Sequence, residues 1–282
     1  MPLPNLLIIG AQKAGTTALH AMLAQHESVS MSQPKELNFF CWHWERGVDW
    51  YADHFENKPV RGDSCPQDAA GWPDVPERIH ATIPDVRLVY LVRDPVERIV
   101  SAWLHAWTKG TETRPFAELV RSAGFATSAY VARTRYATQV ERYLEHFRVE
   151  QLLVLCQEDL IANPLDALAR VSEHLNMSPM LGIEARRENQ SAGRLRPPWA
   201  VRALLGARGG WHRETPTWKS RVAHTATARF GRPVSRPEVL PELRARILEL
   251  LDPELARLEV LTGVRALRSS GVDGCAEPNR TK

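Results

Sequence analysis

The chain has 282 residues, 44% of them apolar and 24% charged, which suits one large α/β domain and excludes a disordered or fibrous protein. Thirty-six basic against 33 acidic residues leave a net charge of +3, too small an excess for a protein that coats nucleic acid. No stretch approaches the roughly 18 uninterrupted apolar residues of a membrane span, and Met1 to Asn5 carries no basic leader region, so a soluble cytoplasmic protein is expected.

Leu6-Leu7-Ile8-Ile9, closed by Gly10, has the apolar run of a buried parallel strand. Thr16 to Gln25 follows as a helix with Ala18, Leu19, Met22 and Leu23 on one face. A second unit begins with the strand pattern Arg87 to Val92. It turns at Arg93-Asp94-Pro95, where Asp94 can cap and Pro95 can open a helix reaching Trp107. Helices are predicted over Phe116 to Ala123 and, as one long amphipathic element, over Tyr130 to Phe147. A third strand is expected at Gln151 to Leu155, with a helix from Pro164 to Leu175. Alternating strands and helices argue for a central parallel sheet covered on both faces. Residues 188–240, rich in Arg, Pro, Gly and Trp without a clear period, read as a lid-like loop region. Two short helices are expected at Pro241 to Leu251 and Pro253 to Leu261. The organisation predicted is one domain over 1–267 and a flexible tail over 268–282.

Cys41, Cys65, Cys156 and Cys275 form no C-x-x-C pair, and the ten histidines form no H-E-x-x-H, so neither a disulfide framework nor a metal is expected. Two glycosylation sequons, Asn189-Gln190-Ser191 and Asn279-Arg280-Thr281, are discounted for want of a secretory leader. The basic residues are six lysines and thirty arginines, so a lysine inside a motif stands out.

One such lysine lies in Gly10-Ala11-Gln12-Lys13-Ala14-Gly15-Thr16-Thr17. A glycine loop between strand and helix offers an anion its unpaired N–H groups and the positive end of a helix dipole. Ala14 and Gly15 let the backbone come close, Lys13 adds a point charge, and Thr16 and Thr17 add hydroxyls. The lysine stands two places before the second glycine, with Thr16 where a nucleotide triphosphatase loop G-x-x-x-x-G-K-[ST] has its lysine.

The order Lys-x-Gly-Thr-Thr resembles the 5′-phosphosulfate loop of sulfotransferases that use 3′-phosphoadenosine-5′-phosphosulfate (PAPS). Arg93 to Trp103, with an arginine at a strand end and Ser101 eight residues later, looks like that family's 3′-phosphate motif. Physically, Arg93 leaves the sheet where open α/β sheets bind ligands, and its guanidinium can grip a phosphate bidentately. Pro34-Lys35-Glu36-Leu37-Asn38-Phe39-Phe40 and Gly47-Val48-Asp49-Trp50-Tyr51 resemble stretches of heparan sulfate N- and O-sulfotransferases and their bacterial relatives. Glu158-Asp159-Leu160 with Pro164, Arg229-Phe230-Gly231-Arg232-Pro233, and Leu261-Thr262-Gly263 extend the similarity over roughly residues 5 to 265.

The resemblance implies a P-loop-containing nucleotide-binding α/β fold and sulfuryl transfer from PAPS to a hydroxyl or amine of a carbohydrate, glycolipid or natural product. It implies a donor site formed by Lys13, Ala14, Gly15, Thr16, Thr17, Arg93, Ser101, Arg229, Gly231 and Arg232. Lys13 and Glu36 would be catalytic, Glu36 as general base with its basicity raised by burial beside Phe39 and Phe40. Sulfuryl transfer, like phosphoryl transfer, needs positioning and charge stabilisation more than covalent catalysis, and lysine and arginine supply the charge without a metal. One departure stands out: where the family often carries E-K-[ST]-P, the stretch here is Arg61-Gly62-Asp63-Ser64-Cys65-Pro66, without its lysine. Among nine tryptophans, Trp42, Trp44 and Trp50, with Tyr51, are placed to line an acceptor site or to pack the core. For Trp103 and Trp107 packing is favoured, and Trp211 and Trp218 fall in the lid region. The rival reading is a small-molecule P-loop kinase using ATP and Mg²⁺, which would leave the Arg93–Ser101 pair without a role. A third is a nucleotide-binding module that has lost catalysis, against which Lys13 and Glu36 argue.

Overall fold

In the computed structural model of the chain the residues described are 2–180, 182–184, 195–196, 198 and 225–265. The sequons, Trp211, Trp218, most of the lid region and the tail lie outside them.

Strand β1 (Leu6–Gly10) is buried along its whole length, as a strand covered on both faces must be. It is followed by α1 (Thr16–Leu23), β2 (Val29–Met31), α2 (Phe39–Trp42) and α3 (Gly47–Ala52). Next come β3 (Val60–Ser64), α4 (Val75–Thr82), β4 (Arg87–Val92) and α5 (Pro95–Lys109). The chain continues through α6 (Phe116–Arg121), α7 (Ala129–Ala132), α8 (Tyr136–Leu144), β5 (Leu152–Cys156), α9 (Gln157–Ala162) and α10 (Pro164–His174). The five strands form one sheet in the order β2-β3-β1-β4-β5, every neighbouring pair parallel. The order changes direction beside β1, so the crevice at its carboxyl end is where such sheets take ligands.

Strands β2 and β3 carry too little apolar character to announce themselves. In β3, Val60-Arg61-Gly62-Asp63-Ser64, the polar groups are buried but satisfied. Asp63 accepts from Ser32 Oγ at 2.7 Å, from the Ser64 N–H at 2.7 Å and from Tyr51 OH at 3.2 Å. Gly62 leaves room for a neighbour: a Cβ there would lie 2.6 Å from Met31 Sδ, so the methionine side chain would have to shift.

Two expected helix boundaries change. The long helix over Tyr130 to Phe147 is α7 and α8 separated by Arg133–Arg135. The Tyr130 carbonyl accepts the Thr134 hydroxyl at 2.6 Å and Arg98 Nη2 at 2.9 Å, while the Thr134 N–H turns to the Val131 carbonyl. A threonine hydroxyl competing for a helix carbonyl in this way interrupts the ladder. Conversely, the two helices expected near the end are one, α11 (Pro241–Thr262), running through Pro253. An interior proline costs about 3 kcal/mol. A continuous buried row, Leu243, Ile247, Leu251, Leu255 and Leu258, opposes that cost. Buried Glu254 adds to it, accepting from the Thr138 N–H at 3.1 Å and pairing with Arg257 at 3.2 Å.

Within the lid region, β6 (Leu195–Arg196) pairs antiparallel with β7 (Arg232–Pro233), and residues 225–230 are helical. The Arg196 guanidinium lies 3.5 Å from the centre of the Trp107 ring, which docks this ribbon on α5. Trp103 is buried and stacks on Trp107 at 4.9 Å, so both rings are packing residues. Among the described residues no helix is long and apolar enough to cross a membrane.

Candidate active site

Residues 11–15 leave β1 in a tight loop in which Lys13 (φ 72°) and Gly15 (φ 95°) adopt left-handed backbone. Gly15 is the N-cap of α1 and no side chain caps that helix. The first-turn N–H groups of α1 are therefore left to an anion, with the positive end of the dipole behind them. The contrast with α5 is informative. There Asp94 Oδ1 accepts the Glu97 N–H at 3.0 Å and fills the helix N-terminus.

The second half of the site comes from the turn between β4 and α5. Arg93 Nη1 donates to the Lys13 carbonyl at 3.3 Å, which ties the strand-end arginine to the loop, and Tyr136 OH donates to the Arg93 carbonyl at 3.0 Å. The Asp94 N–H donates to Glu158 Oε1 at 3.0 Å, so the Glu158-Asp159-Leu160 stretch fixes this turn from the end of β5. Burial, the dominant influence, holds the Glu158 carboxyl above the usual carboxylate range. Arg93 and Ser101 line a cavity of about 80 Å³ together with Glu97, Val100, Leu104, Val234 and Arg236. Glu97 bridges its two arginines, 3.4 Å from Arg93 Nη2 and paired with Arg236. Burial alone would raise the Glu97 carboxyl. The hydrogen bond and charge of Arg236, with the charges of Arg93 and Arg244, outweigh it and hold the carboxyl below its ordinary range.

Beneath the loop lies a cation to which the sequence reading gave no role. Arg98 is fully buried, donating from Nη1 to the Gln12 carbonyl at 3.4 Å and from Nη2 to the Tyr130 carbonyl at 2.9 Å. Burial lowers its pKa to about 10, which leaves it charged at neutral pH. Arg133 Nη1 holds the Gln12 side chain at 2.7 Å. The signal in the sequence is an arginine set inside the apolar row Val96, Ile99, Val100 and Trp103. Its effect is to brace the Gln12 carbonyl of the loop against α7 and to add fixed positive charge behind the loop.

The third part is the strap between β2 and α2. Glu36 (φ 65°) and Asn38 (φ 54°) are both left-handed, a conformation that costs a non-glycine residue and persists only where surroundings impose it. Asn38 supplies part of that restraint, donating from Nδ2 to the Glu36 carbonyl at 2.6 Å. The expected burial of Glu36 beside Phe39 and Phe40 is not found: its side chain is 43% exposed and Lys35 Nζ lies 2.7 Å from Oε1. The two phenylalanines are instead buried in the core, where Phe39 stacks on Tyr51 at 4.4 Å. Tyr51 is thus removed from any acceptor surface, while Trp42, Trp44 and Trp50 are partly buried against the same core. Where the family lysine would stand, Ser64 Oγ is hydrogen-bonded to His20 Nδ1 at 3.0 Å.

His20 gives a stability prediction. Burial first, and the charge of Lys35 second, lower its pKa to about 4 against the influence of Glu36. The folded protein then keeps the ring neutral while the unfolded chain binds a proton below about pH 6.5. The contribution is full above pH 6.5 and is lost as pH falls toward 4, by at most about 3 kcal/mol. Denaturant melts at pH 7, 5.5 and 4.5 should show this loss in the wild type, and a shallower one in His20→Gln.

The remaining expected donor residues lie apart from the cavity. Arg229 is exposed with its guanidinium 5.7 Å from the Phe230 ring, and Arg232 is exposed on β7. The Gly231 N–H donates to the Thr227 carbonyl at 2.7 Å, and a Cβ at Gly231 would collide with that carbonyl. The segment after β7 reaches the cavity through Val234 and Arg236 instead.

The chain is similar to known proteins in sequence and fold. The sulfotransferase domain family profile matches residues 3–190. A bifunctional heparan sulfate N-deacetylase/N-sulfotransferase of Drosophila melanogaster is 28% identical over 210 residues, 64% of this chain and 20% of that protein. Heparan sulfate glucosamine 3-O-sulfotransferase 3B1 of Mus musculus is 30% identical over 199 residues, 68% of this chain and 50% of that protein. The chain thus spans half or less of the length of these curated relatives. A sulfotransferase of Alicyclobacillus acidocaldarius has the same fold, with a TM-score of 0.70 at 22% identity, covering 95% of this chain and 98% of that one. A loop matched by profile, an uncapped α1 amide cluster and an arginine tied to it lead to one assignment: the chain belongs to the sulfotransferase domain family.

Proposed function

We propose that the protein transfers a sulfuryl group from PAPS to a hydroxyl or amine of a carbohydrate or natural-product acceptor. The observation that carries this reading is the Arg93–Lys13 contact, which ties the loop to the arginine that lines the Ser101 cavity, so that two groups of anion-binding residues adjoin. The donor set fits. The open N-terminus of α1 with Lys13, Thr16 and Thr17 suits the 5′-phosphosulfate. Arg93 and Ser101, with Arg236 at the same cavity, suit the 3′-phosphate. The heparan sulfate relatives bring a carbohydrate acceptor to mind for this chain as well.

In this reading the acceptor oxygen or nitrogen attacks sulfur as the bond from sulfur to the bridging phosphate oxygen breaks. Glu36 takes the acceptor proton, and Lys13 with the Gly15, Thr16 and Thr17 amides stabilises the charge gathering on the departing 5′-phosphate. Arg98 adds to that field from below without touching the nucleotide. Arg229, in the helical residues 225–230, and Arg232, on β7, would act only if those segments moved toward the nucleotide.

The two phosphate sites can be separated by titration. Arg93→Ala and Ser101→Ala should each weaken adenosine 3′,5′-bisphosphate by about 1–3 kcal/mol, as expected for hydrogen bonds to a charged group. Adenosine 5′-phosphate, lacking the 3′-phosphate, should bind Ser101→Ala as before and should lose less than the bisphosphate in Arg93→Ala, whose side chain also holds the Lys13 carbonyl. Equal loss for both nucleotides would contradict the assignment.

A further inference from the structure

We infer that the protein holds a structural thiophilic metal ion, of the zinc class, between Asn38, Cys41, Cys65 and Asp68. The two thiols are buried and their sulfurs lie 4.0 Å apart. Asp68, also buried, brings a carboxylate oxygen to the same point, so that one donor atom from each of the three residues lies within 4.8 Å of the others. Its Oδ1 has no hydrogen-bond partner, and such an orphan is costly inside a protein unless a ligand answers it. Asn38 Oδ1 lies 3.1 Å from Cys65 Sγ and 3.8 Å from Cys41 Sγ. Its orientation is fixed, because Nδ2 of the same amide donates to the Glu36 carbonyl.

These distances are close to the edges of a zinc tetrahedron. With Zn–S near 2.3 Å and Zn–O near 2.1 Å, sulfur–sulfur edges are about 3.8 Å and sulfur–oxygen edges about 3.6 Å. The spacing also has the form of a metal site. Asn38-x-x-Cys41 opens α2, and Cys65-x-x-Asp68 follows β3, two pairs at the separation that a C-x-x-C knuckle uses. The second pair is rigid, because the Asp68 N–H donates to the Cys65 carbonyl at 3.0 Å, the Cys65 N–H to Ile8 and the Ala69 N–H to Ile9. Two thiolates and a carboxylate around a divalent ion leave one negative charge. Arg142 is anchored on the carbonyl of Ala69, the residue after Asp68, at 3.1 Å. The sequence hid this set because each pair contains only one cysteine.

The same ion would clamp Asn38 and, through it, the left-handed strap that presents Glu36. That consequence rests on the proposed function, while the metal site itself does not.

Cobalt(II) chloride is the probe, titrated into the full chain after chelator treatment. One equivalent should bind, with sulfur-to-cobalt charge-transfer absorption and the intense visible bands of a four-coordinate ion, and zinc should displace it one for one. Cys41→Ser should weaken cobalt by more than the roughly 10–100-fold cost of losing an outer partner, and Asp68→Asn should weaken it too. Because a core variant can fail to fold, wild-type protein provides a second readout: zinc should protect Cys41 and Cys65 from alkylation in mild denaturant. Removing the ion should lower turnover while bisphosphate affinity stays within about twofold. Cobalt bound without the charge-transfer band, no protection of the thiols, or a Cys41–Cys65 disulfide in freshly isolated protein would overturn the site. Loss of the strap effect alone would leave the site standing and remove only its link to Glu36.

Discussion

Turnover of Glu36→Gln is expected to fall about 10²–10⁴-fold, the usual share of a general base. Glutamine keeps the shape and most of the hydrogen bonding but accepts no proton. The exposed ion pair with Lys35 is worth little to the fold, of the order of 0–1 kcal/mol, so the melting temperature should hardly move. Bisphosphate affinity should also be kept, because the proposed role of Glu36 is toward the acceptor and Asn38 ties its strap to Cys65, just past β3. Steady-state rates with isothermal titration of the bisphosphate separate the two effects. A Glu36→Gln enzyme with near-normal turnover would mean that the proton leaves by another route, with His43 or His54 next in line.

Lys13→Ala should behave differently, damaging both donor binding and turnover. Losing one preorganised donor to a developing oxyanion costs about 10²–10³-fold in rate. In the proposed reading Lys13 would also carry a share of the ground-state contact with the 5′-phosphosulfate. Its left-handed φ of 72° adds a control: Lys13→Gly relaxes the backbone but removes the charge, and should lose as much activity as Lys13→Ala. If Lys13→Gly retained most activity, the lysine would be serving the turn rather than the reaction.

What the sequence displayed, it displayed through apolar runs and glycine. Strands β1, β4 and β5 and the helices α1, α5, α6 and α10 lie where their patterns put them, because a parallel strand buried on both faces must be apolar throughout. Strands β2 and β3 were hidden because their burial is met by hydrogen bonds to Asp63 and by the absence of a side chain at Gly62, neither of which gives a period. The breaks were hidden for related reasons. One hydroxyl, Thr134, interrupts a helix that periodicity would continue, and one buried row carries α11 past a proline that local rules would honour. For the site, spacing marked the loop, Arg93 and Ser101. It could not show Arg98 under the loop, or Arg236 entering through β7, because both depend on what packs against α5. The burial expected for Glu36 failed because Phe39 and Phe40 turn into the core, away from the preceding strap.

Donor discrimination tests the central claim most directly. The unmodified chain, titrated calorimetrically without Mg²⁺, should bind adenosine 3′,5′-bisphosphate at micromolar or better affinity and bind ATP more weakly. Adding Mg²⁺ should not reverse that order, since in the proposed reading Arg93, Ser101 and Arg236, which line one cavity, would answer a 3′-phosphate that ATP lacks. Tight, Mg²⁺-dependent binding of ATP with no binding of the bisphosphate would contradict the account and point to a kinase.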